Sequence, residues 1–470
     1  MRKTVKNYVY QVSYNLLNML LPLITAPYLA RILGAEGVGH YAYYFAIAQY
    51  FTIFAKLGLT HYGTRQIAEV RDHPQLLKDV FTNIYMMQIG AVTVAVAVYI
   101  GFLFLLAQDR QISFIFGIWL FCVAFDTDWL LFGLEDFRSP AIRNFIVKGF
   151  STAAVFLTVK SAKDLNLYAI ITAVSYALGY VALWMKCRQY IDLKSVMWHK
   201  VISHLKPCCV LLISILALNL YRSMDKVMLG AIGGMYETGL YEYAEKIVYC
   251  LSTLIASLGS VMLPKISHLK AKQDHKSREK LIMASMEFVL FMTCGMAFGL
   301  ISISNSLIPV LFGESFRGSV PLLNLLAVTL ILIGWGNVIR SQYVIPEHLD
   351  QIYVFTVSAG AAVNLIANAL LIPRFAAIGA CIGTILAEIT VPVMQGCFLN
   401  DKLPYRKFVG QSIPYLLIGA IMCVVLKNME RHLSAGLMTM LLQMLIGAMI
   451  YGGVSACYFK IHHGKQITWI

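Results

Sequence analysis

Arg31, Lys56, Lys148, Arg222 and Lys246 lie within long apolar runs or at their ends, as do Asp126, Asp128, Asp225 and Glu388. A charge at the centre of a bilayer costs about 2.5–3.5 kcal/mol on insertion scales, so it faces a bundle interior or a water path. Arg222 and Asp225 are three positions apart, share a helical face and can pair. Lys246 follows Glu242 and Glu245, and Asp126 and Asp128 immediately precede Trp129. Arg31, Lys56 and Asp128 equally suit helix ends, the cations snorkelling to headgroups, and Lys148 fits the same description. Glu388, between Leu386-Ala387 and Ile389-Thr390, is the hardest to explain structurally and reads as a path-facing carboxylate for a proton or cation. Were the cations to converge in one cavity between two halves of the chain, that cavity would suit a polyanion such as a diphosphate.

The elements that must position these charges are membrane spans. Only 13% of the 470 residues are charged and 59% are apolar, where a soluble chain carries about 25% charge. A span needs about 20 residues. Fourteen are expected, at 11–32, 41–62, 80–107, 112–133, 141–160, 165–186, 208–230, 240–263, 281–302, 320–343, 352–372, 376–399, 408–427 and 436–459. The expected fold is an all-α polytopic membrane protein with two pseudo-symmetric six-helix lobes and two added C-terminal helices. Its parts are a first lobe at 1–186, a cytoplasmic linker at 187–207, a second lobe at 208–404 and the added pair at 405–470. Pro22, Pro27 and Pro392 fall inside spans and Pro309 after the ninth. Each breaks a backbone hydrogen bond, which a membrane tolerates where protein or a cavity covers the break; ordinary packing kinks fit as well.

Loop charge orients the spans. With the N-terminus inside, 25 Lys and Arg fall on the inward side and 9 on the outward side. That bias follows the positive-inside rule and puts both termini in the cytoplasm. It also explains the net charge of +14 without nucleic acid. The basic N-terminus leads into a full span rather than a cleavable signal. The linker 187–207 has room for a short interfacial helix, with Trp198 and Lys200 at the membrane surface, and 264–280 reads as a solvated loop. Tyr41, Tyr43 and Tyr44 read mainly as interface anchors.

Ten scattered Cys match no metal or disulfide spacing, and eleven His form no constellation with acids. No catalytic or metal-ligating set is therefore expected, and no cofactor. A short internal repeat is visible: Leu33-Gly34 is followed by Gly39, Tyr41 and Tyr43, and Leu229-Gly230 by Gly239, Tyr241 and Tyr243. Six helices separate the copies, which implies lobes of the same orientation about an axis along the membrane normal.

The stretch Leu20-Leu-Pro-Leu-Ile-Thr-Ala-Pro-Tyr-Leu-Ala-Arg-Ile-Leu-Gly34, continuing through Gly37-Val-Gly39-His-Tyr41 to Phe54-Ala-Lys-Leu-Gly58 and Tyr62-Gly-Thr-Arg-Gln-Ile-Ala68, resembles the opening of bacterial polysaccharide flippases. These are the O-antigen, capsule and repeat-unit exporters of the multidrug/oligosaccharidyl-lipid/polysaccharide exporter superfamily. The resemblance implies alternating access in the bacterial cytoplasmic membrane and an undecaprenyl-diphosphate-linked oligosaccharide as cargo. It makes Arg31 and Lys56 cavity cations, complemented by Arg222 and Lys246, and Arg65 a gate or lobe contact. The match covers motif positions of the first two spans only; Lys148, Arg222, Lys246 and Glu388 match no family motif and rest on burial logic alone. The implied partners are membrane lipids and the polymerase and glycosyltransferases of the pathway, with coupling to H+ or Na+ left open. A multidrug cation antiporter of the same superfamily remains as an alternative, through Glu388 and Asp126/Asp128; a membrane polymerase would need larger outward loops.

Overall fold

Apolar runs of this length, with their peptide groups cut off from water, have one economical solution, the α-helix. A computed structural model describes the backbone of residues 2–434 and 436–463; the side chains of 1–20, 22, 23, 214, 217, 218, 220–222 and 462–470 are outside the described set. Contacts divide the chain into a first unit, Met1–Val227, and a second, Met228–Ile470.

The first unit holds α1 (Arg2–Lys56), α2 (Leu59–Val70), α3 (Pro74–Leu105), α4 (Arg110–Cys122), α5 (Asp128–Gly133), α6 (Arg138–Thr158), α7 (Leu165–Cys187) and most of α8 (Trp198–Ile232). In it, α1 packs on α3, α4 and α6, and α7 on α4 and α6. The second unit holds α9 (Met235–Ala271), α10 (His275–Phe312), α11 (Ser319–Ala327), α12 (Thr329–Ile339), α13 (Asp350–Leu399), α14 (Tyr405–Glu430) and α15 (Leu437–His463). Its hub is α10, against which α9, α11, α12, α14 and α15 all pack.

Among the described residues, nine helices are long and apolar enough to cross a membrane. This is an all-α polytopic membrane protein. The outer faces agree: Val409, Ile413, Leu417, Ile421 and Val424 form an exposed stripe on α14, while Phe408, Tyr415, Gly419, Met422 and Leu426 are buried behind it. A helix apolar on both sides belongs in lipid.

Several helices depart from the expected segments, each for a local reason. The segment 112–133 is interrupted by a 3-10 turn at Val123–Phe125 and extended backbone at Asp126. The segment 320–343 is split into α11 and α12 and closes in a π turn, Arg340–Val344. Pro309 lies inside α10 rather than after it. The 264–280 stretch is mostly helical: α9 and α10 continue through it, and Arg278 is buried. Tyr44 is buried too, its hydroxyl accepting the Asp109 N–H at 2.7 Å in the turn before α4.

The 187–207 stretch is tied to α3. Thr82 and Asn83 bond the backbone at Asp192, Ser195 and Met197, and Lys200 pairs with Asp79 at 2.7 Å. Trp198 opens α8 and is exposed.

The short repeat has a backbone counterpart, shifted from the alignment the residues alone suggested. Gly34 breaks α1 at φ 68, ψ 177, and its twin is Gly234 rather than Gly230, at φ 94, ψ 164 before α9. Both lie in a region open essentially to glycine alone. Seven residues beyond each glycine, a tyrosine reaches a distant threonine: Tyr41 bonds Thr172 at 3.3 Å, and Tyr241 bonds Thr384 at 3.0 Å.

No atom lies near a Cβ built on Gly34 or Gly234, so alanine there meets only backbone strain. Gly34→Ala and Gly234→Ala should each cost about 1–3 kcal/mol, lowering the melting temperature of the full chain in detergent. Gly90→Ala, equally uncrowded but inside α3 without a positive φ, should leave it unchanged or raise it. Equal melting of all three variants would contradict the strained-break account.

Candidate functional site

The densest set of charges within the spans forms where α4 gives way to α5. A helix that ends inside a span leaves carbonyls without partners. Here Gln88 of α3 supplies them: its amide nitrogen donates to the carbonyls of Val123 and Asp126, each at 2.9 Å. The Gln88 carbonyl oxygen accepts the Trp129 indole N–H at 3.0 Å, which fixes the amide's orientation. Asp126 accepts the Asp128 N–H at 3.2 Å and so turns the chain into α5.

Both acids have cationic partners. Lys56, the last residue of α1, reaches Asp126 at 2.6 Å and stands 5.1 Å from the centre of the Tyr180 ring. Arg143 of α6 donates to both oxygens of Asp128, at 2.7 and 2.9 Å. A Cβ at Gly179 of α7 would lie 2.9 Å from an Arg143 guanidinium nitrogen, so the glycine makes the room that this arginine occupies. Arg143, counted among loop charges in the sequence, is the functional candidate that sequence reasoning missed. The available signal was its place five residues into α6, opposite two acids.

The other singled-out residues are placed as follows. Arg31 is exposed on α1, three residues before the Gly34 break. Lys148 is half-buried on α6, and Asp225 is buried on α8. The Arg222 side chain lies outside the described residues, as does that of Pro22. Lys246 pairs locally with Glu242 at 3.1 Å and lies 4.7 Å from the Tyr243 ring centre. Glu388 is half-buried in the second arm of α13, after the break at Ala376; Pro392 of the same arm is buried and Pro27 of α1 half-buried. Arg65 is exposed on α2, 5.8 Å from the Tyr62 ring centre. Thus Lys56, Asp126 and Asp128 come together, while Lys246 is held on its own helix. Glu287, buried on α10, accepts the Tyr415 hydroxyl at 3.1 Å and so ties α14 to the hub.

Each unit also carries an ion pair in a turn between helices. Arg71 meets Glu135 at 2.5 Å in the first. In the second, Glu347 receives Arg278 at 2.5 Å and Lys270 at 3.2 Å. Burial pushes the Glu347 carboxyl up, but hydrogen bonds and charge from Arg278 and Lys270 outweigh it and hold the group below the usual glutamate range.

Removing one member of a buried pair leaves an uncompensated charge, at about 3–5 kcal/mol. Arg143→Ala or Asp128→Asn should therefore destabilise the chain by roughly 3 kcal/mol, and the double variant by clearly less than the two together. A double-mutant cycle on melting temperature measures this; strict additivity would refute the pairing. Glu347 makes a different prediction. Its lowered carboxyl adds stability that is complete above its unfolded value of about 4.3 and is lost as pH falls through the folded value. Melting curves below about pH 4.5 should show that loss in the wild type and less of it in Glu347→Gln.

Comparisons with known proteins bear on the same chain. Residues 4–270 match the family model described as "Polysaccharide biosynthesis protein", and residues 235–446 match that of "Lipid II flippase MurJ". The "Putative O-antigen transporter" of Escherichia coli K12 is 23% identical over 408 residues, covering 85% of this chain and 97% of that one. Its namesake from Shigella dysenteriae is 21% identical over 378 residues, covering 80% and 94%. Among solved structures, an inward closed lipid II flippase MurJ superposes with a TM-score of 0.67 at 15% identity, over 97% of this chain and 99% of the other. That likeness speaks for the fold. The chain belongs to the polysaccharide biosynthesis protein family, within the multidrug/oligosaccharidyl-lipid/polysaccharide exporter superfamily.

Proposed function

We propose that the chain is a flippase that moves an undecaprenyl-diphosphate-linked oligosaccharide from the inner to the outer leaflet of a bacterial cytoplasmic membrane. In this reading it has fourteen spans, cytoplasmic termini, two pseudo-symmetric six-helix lobes and a C-terminal helix pair. Family membership supports it, as does the likeness to a putative O-antigen transporter and to the lipid II flippase family. The paired features support the pseudo-symmetry: Gly34 with Gly234, and Tyr41–Thr172 with Tyr241–Thr384.

The observation that carries the reading is the broken span with Lys56, Asp126, Asp128 and Arg143 gathered on it. Non-helical backbone and charge at membrane depth occur where protein covers them or a polar path runs past. Arg31, Lys56, Lys148, Arg222 and Lys246 are the cations proposed to receive the diphosphate, exposed alternately to the two faces while the prenyl tail stays in lipid. An inside-negative potential favours outward movement of an anionic headgroup by about 2.3 kcal/mol per charge per 100 mV, with H+ or Na+ as the coupling ion to be identified. The antiporter alternative rests on Glu388 and on Asp126 and Asp128, of which the two aspartates are each matched by a cation.

Arg31→Ala and Arg222→Ala, each introduced into cells lacking the wild-type chain, should cut surface polysaccharide at least about tenfold, a loss of roughly 1.4 kcal/mol or more in cargo stabilisation. The protein should remain in the membrane and the lipid-linked intermediate should accumulate on the inner leaflet. Normal surface polymer in both variants would sink the cationic-cargo reading.

A further inference from the structure

A cleft in the second unit lies at the far end of α14, apart from the deep charges. It is a shallow depression open to solvent, of about 480 Å³, lined by Asn305, Arg317, Lys427, Glu430, Arg431 and Leu433. That volume falls within roughly the 300–1,000 Å³ typical of small-molecule sites. Two of its cations, Lys427 and Arg431, have an ordinary structural use at the negative end of α14. That use does not explain Arg317, which comes from the turn between α10 and α11. Its pairing with Glu314 at 3.3 Å is between two exposed side chains, an association weak enough to exchange for another anion.

Glu430 supplies the second observation. One carboxylate oxygen accepts the Asn305 amide N–H at 3.2 Å. The other, Oε1, is buried without a hydrogen-bond partner. A buried acceptor in this condition calls for a donor, which the cations of the cleft do not supply here. Once they hold an anion, a hydroxyl of the same ligand is the donor that remains when the half-buried carboxylate turns to the cleft. The cleft thus combines a cationic wall from two elements with a carboxylate oxygen in need of an O–H.

We propose that this cleft binds the phosphate ester of a polyol, with the phosphate on Arg317, Lys427 and Arg431 and an adjacent hydroxyl donating to Glu430. Guanidinium groups suit phosphate oxygens through paired N–H donors, and the carboxylate makes the site prefer a hydroxylated ester over a bare one. A glycerol-type phospholipid headgroup and a soluble polyol phosphate share this chemistry. The inference stands on the cleft and does not depend on the cargo proposed above.

Native mass spectrometry of the full chain in detergent micelles tests it, with phosphatidylglycerol, phosphatidylmethanol, phosphatidylcholine and glycerol phosphate as probes. Phosphatidylglycerol should bind at least about tenfold tighter than phosphatidylcholine, a margin of about 1.4 kcal/mol. The double variant Arg317→Ala/Arg431→Ala should lose that margin, and Arg317→Lys/Arg431→Lys should keep most of it. Glu430→Gln should narrow the preference for phosphatidylglycerol over phosphatidylmethanol, which has the phosphate and lacks the hydroxyls. Displacement by glycerol phosphate would extend the ligand to soluble esters, and its absence would confine it to lipid; either result upholds the phosphate-ester chemistry. Equal retention of phosphatidylglycerol and phosphatidylcholine would overturn the proposal, as would full retention in the alanine variant. Binding is read separately from export, so failure here leaves the flippase reading standing, and failure of that reading leaves this site intact.

Discussion

Hydrocarbon offers no partner to a charge or to an open peptide group, and the rest of this protein is arranged around that constraint. Its clearest expression is the interval between α4 and α5. There a span gives up its helical hydrogen bonds, and Gln88 takes over two carbonyls while Asp126 takes an N–H. The same acids that shape the turn bring negative charge into the membrane, and Lys56 and Arg143 balance it. Backbone break and ion pairs are therefore one device. Removing a single member would expose either an unpaired charge or an unbonded peptide group, both costly in low dielectric.

The two units solve related problems with related parts. A glycine in a conformation closed to other residues precedes the tyrosine that ties each unit's helices together, at Gly34 with Tyr41 and at Gly234 with Tyr241. A glutamate closes a turn by pairing with cations in each, Glu135 with Arg71 and Glu347 with Arg278 and Lys270. In the first unit Lys56 and Arg143 pair between helices, and in the second Lys246 pairs with Glu242 along α9. The second unit closes α12 in a π turn, a form that recurs at functional sites.

Breaks of this kind suit a carrier, which must hold polar groups at membrane depth without filling the space around them. Most of the remaining scaffold supplies apolar cover. The exposed apolar stripe on α14 and the buried packing of α10 are examples.

Much of this was legible in the residues. The membrane class, the approximate limits of most long helices, the presence of charge within spans and the family resemblance all follow from windows of about twenty residues, the scale on which the bilayer selects. The repeat was visible at Tyr41 and Tyr241, but its glycine was misaligned, because a backbone angle leaves no mark in composition. Tertiary structure alone decided the partnerships. Lys56 finds Asp126 and Tyr41 finds Thr172 across long separations, and Arg143 enters the set only because Gly179 leaves it room. Hydropathy records how much a segment dislikes water, which is a local property. Which charge neutralises which depends on the packing of helices distant in sequence, and that is settled only when the chain has folded.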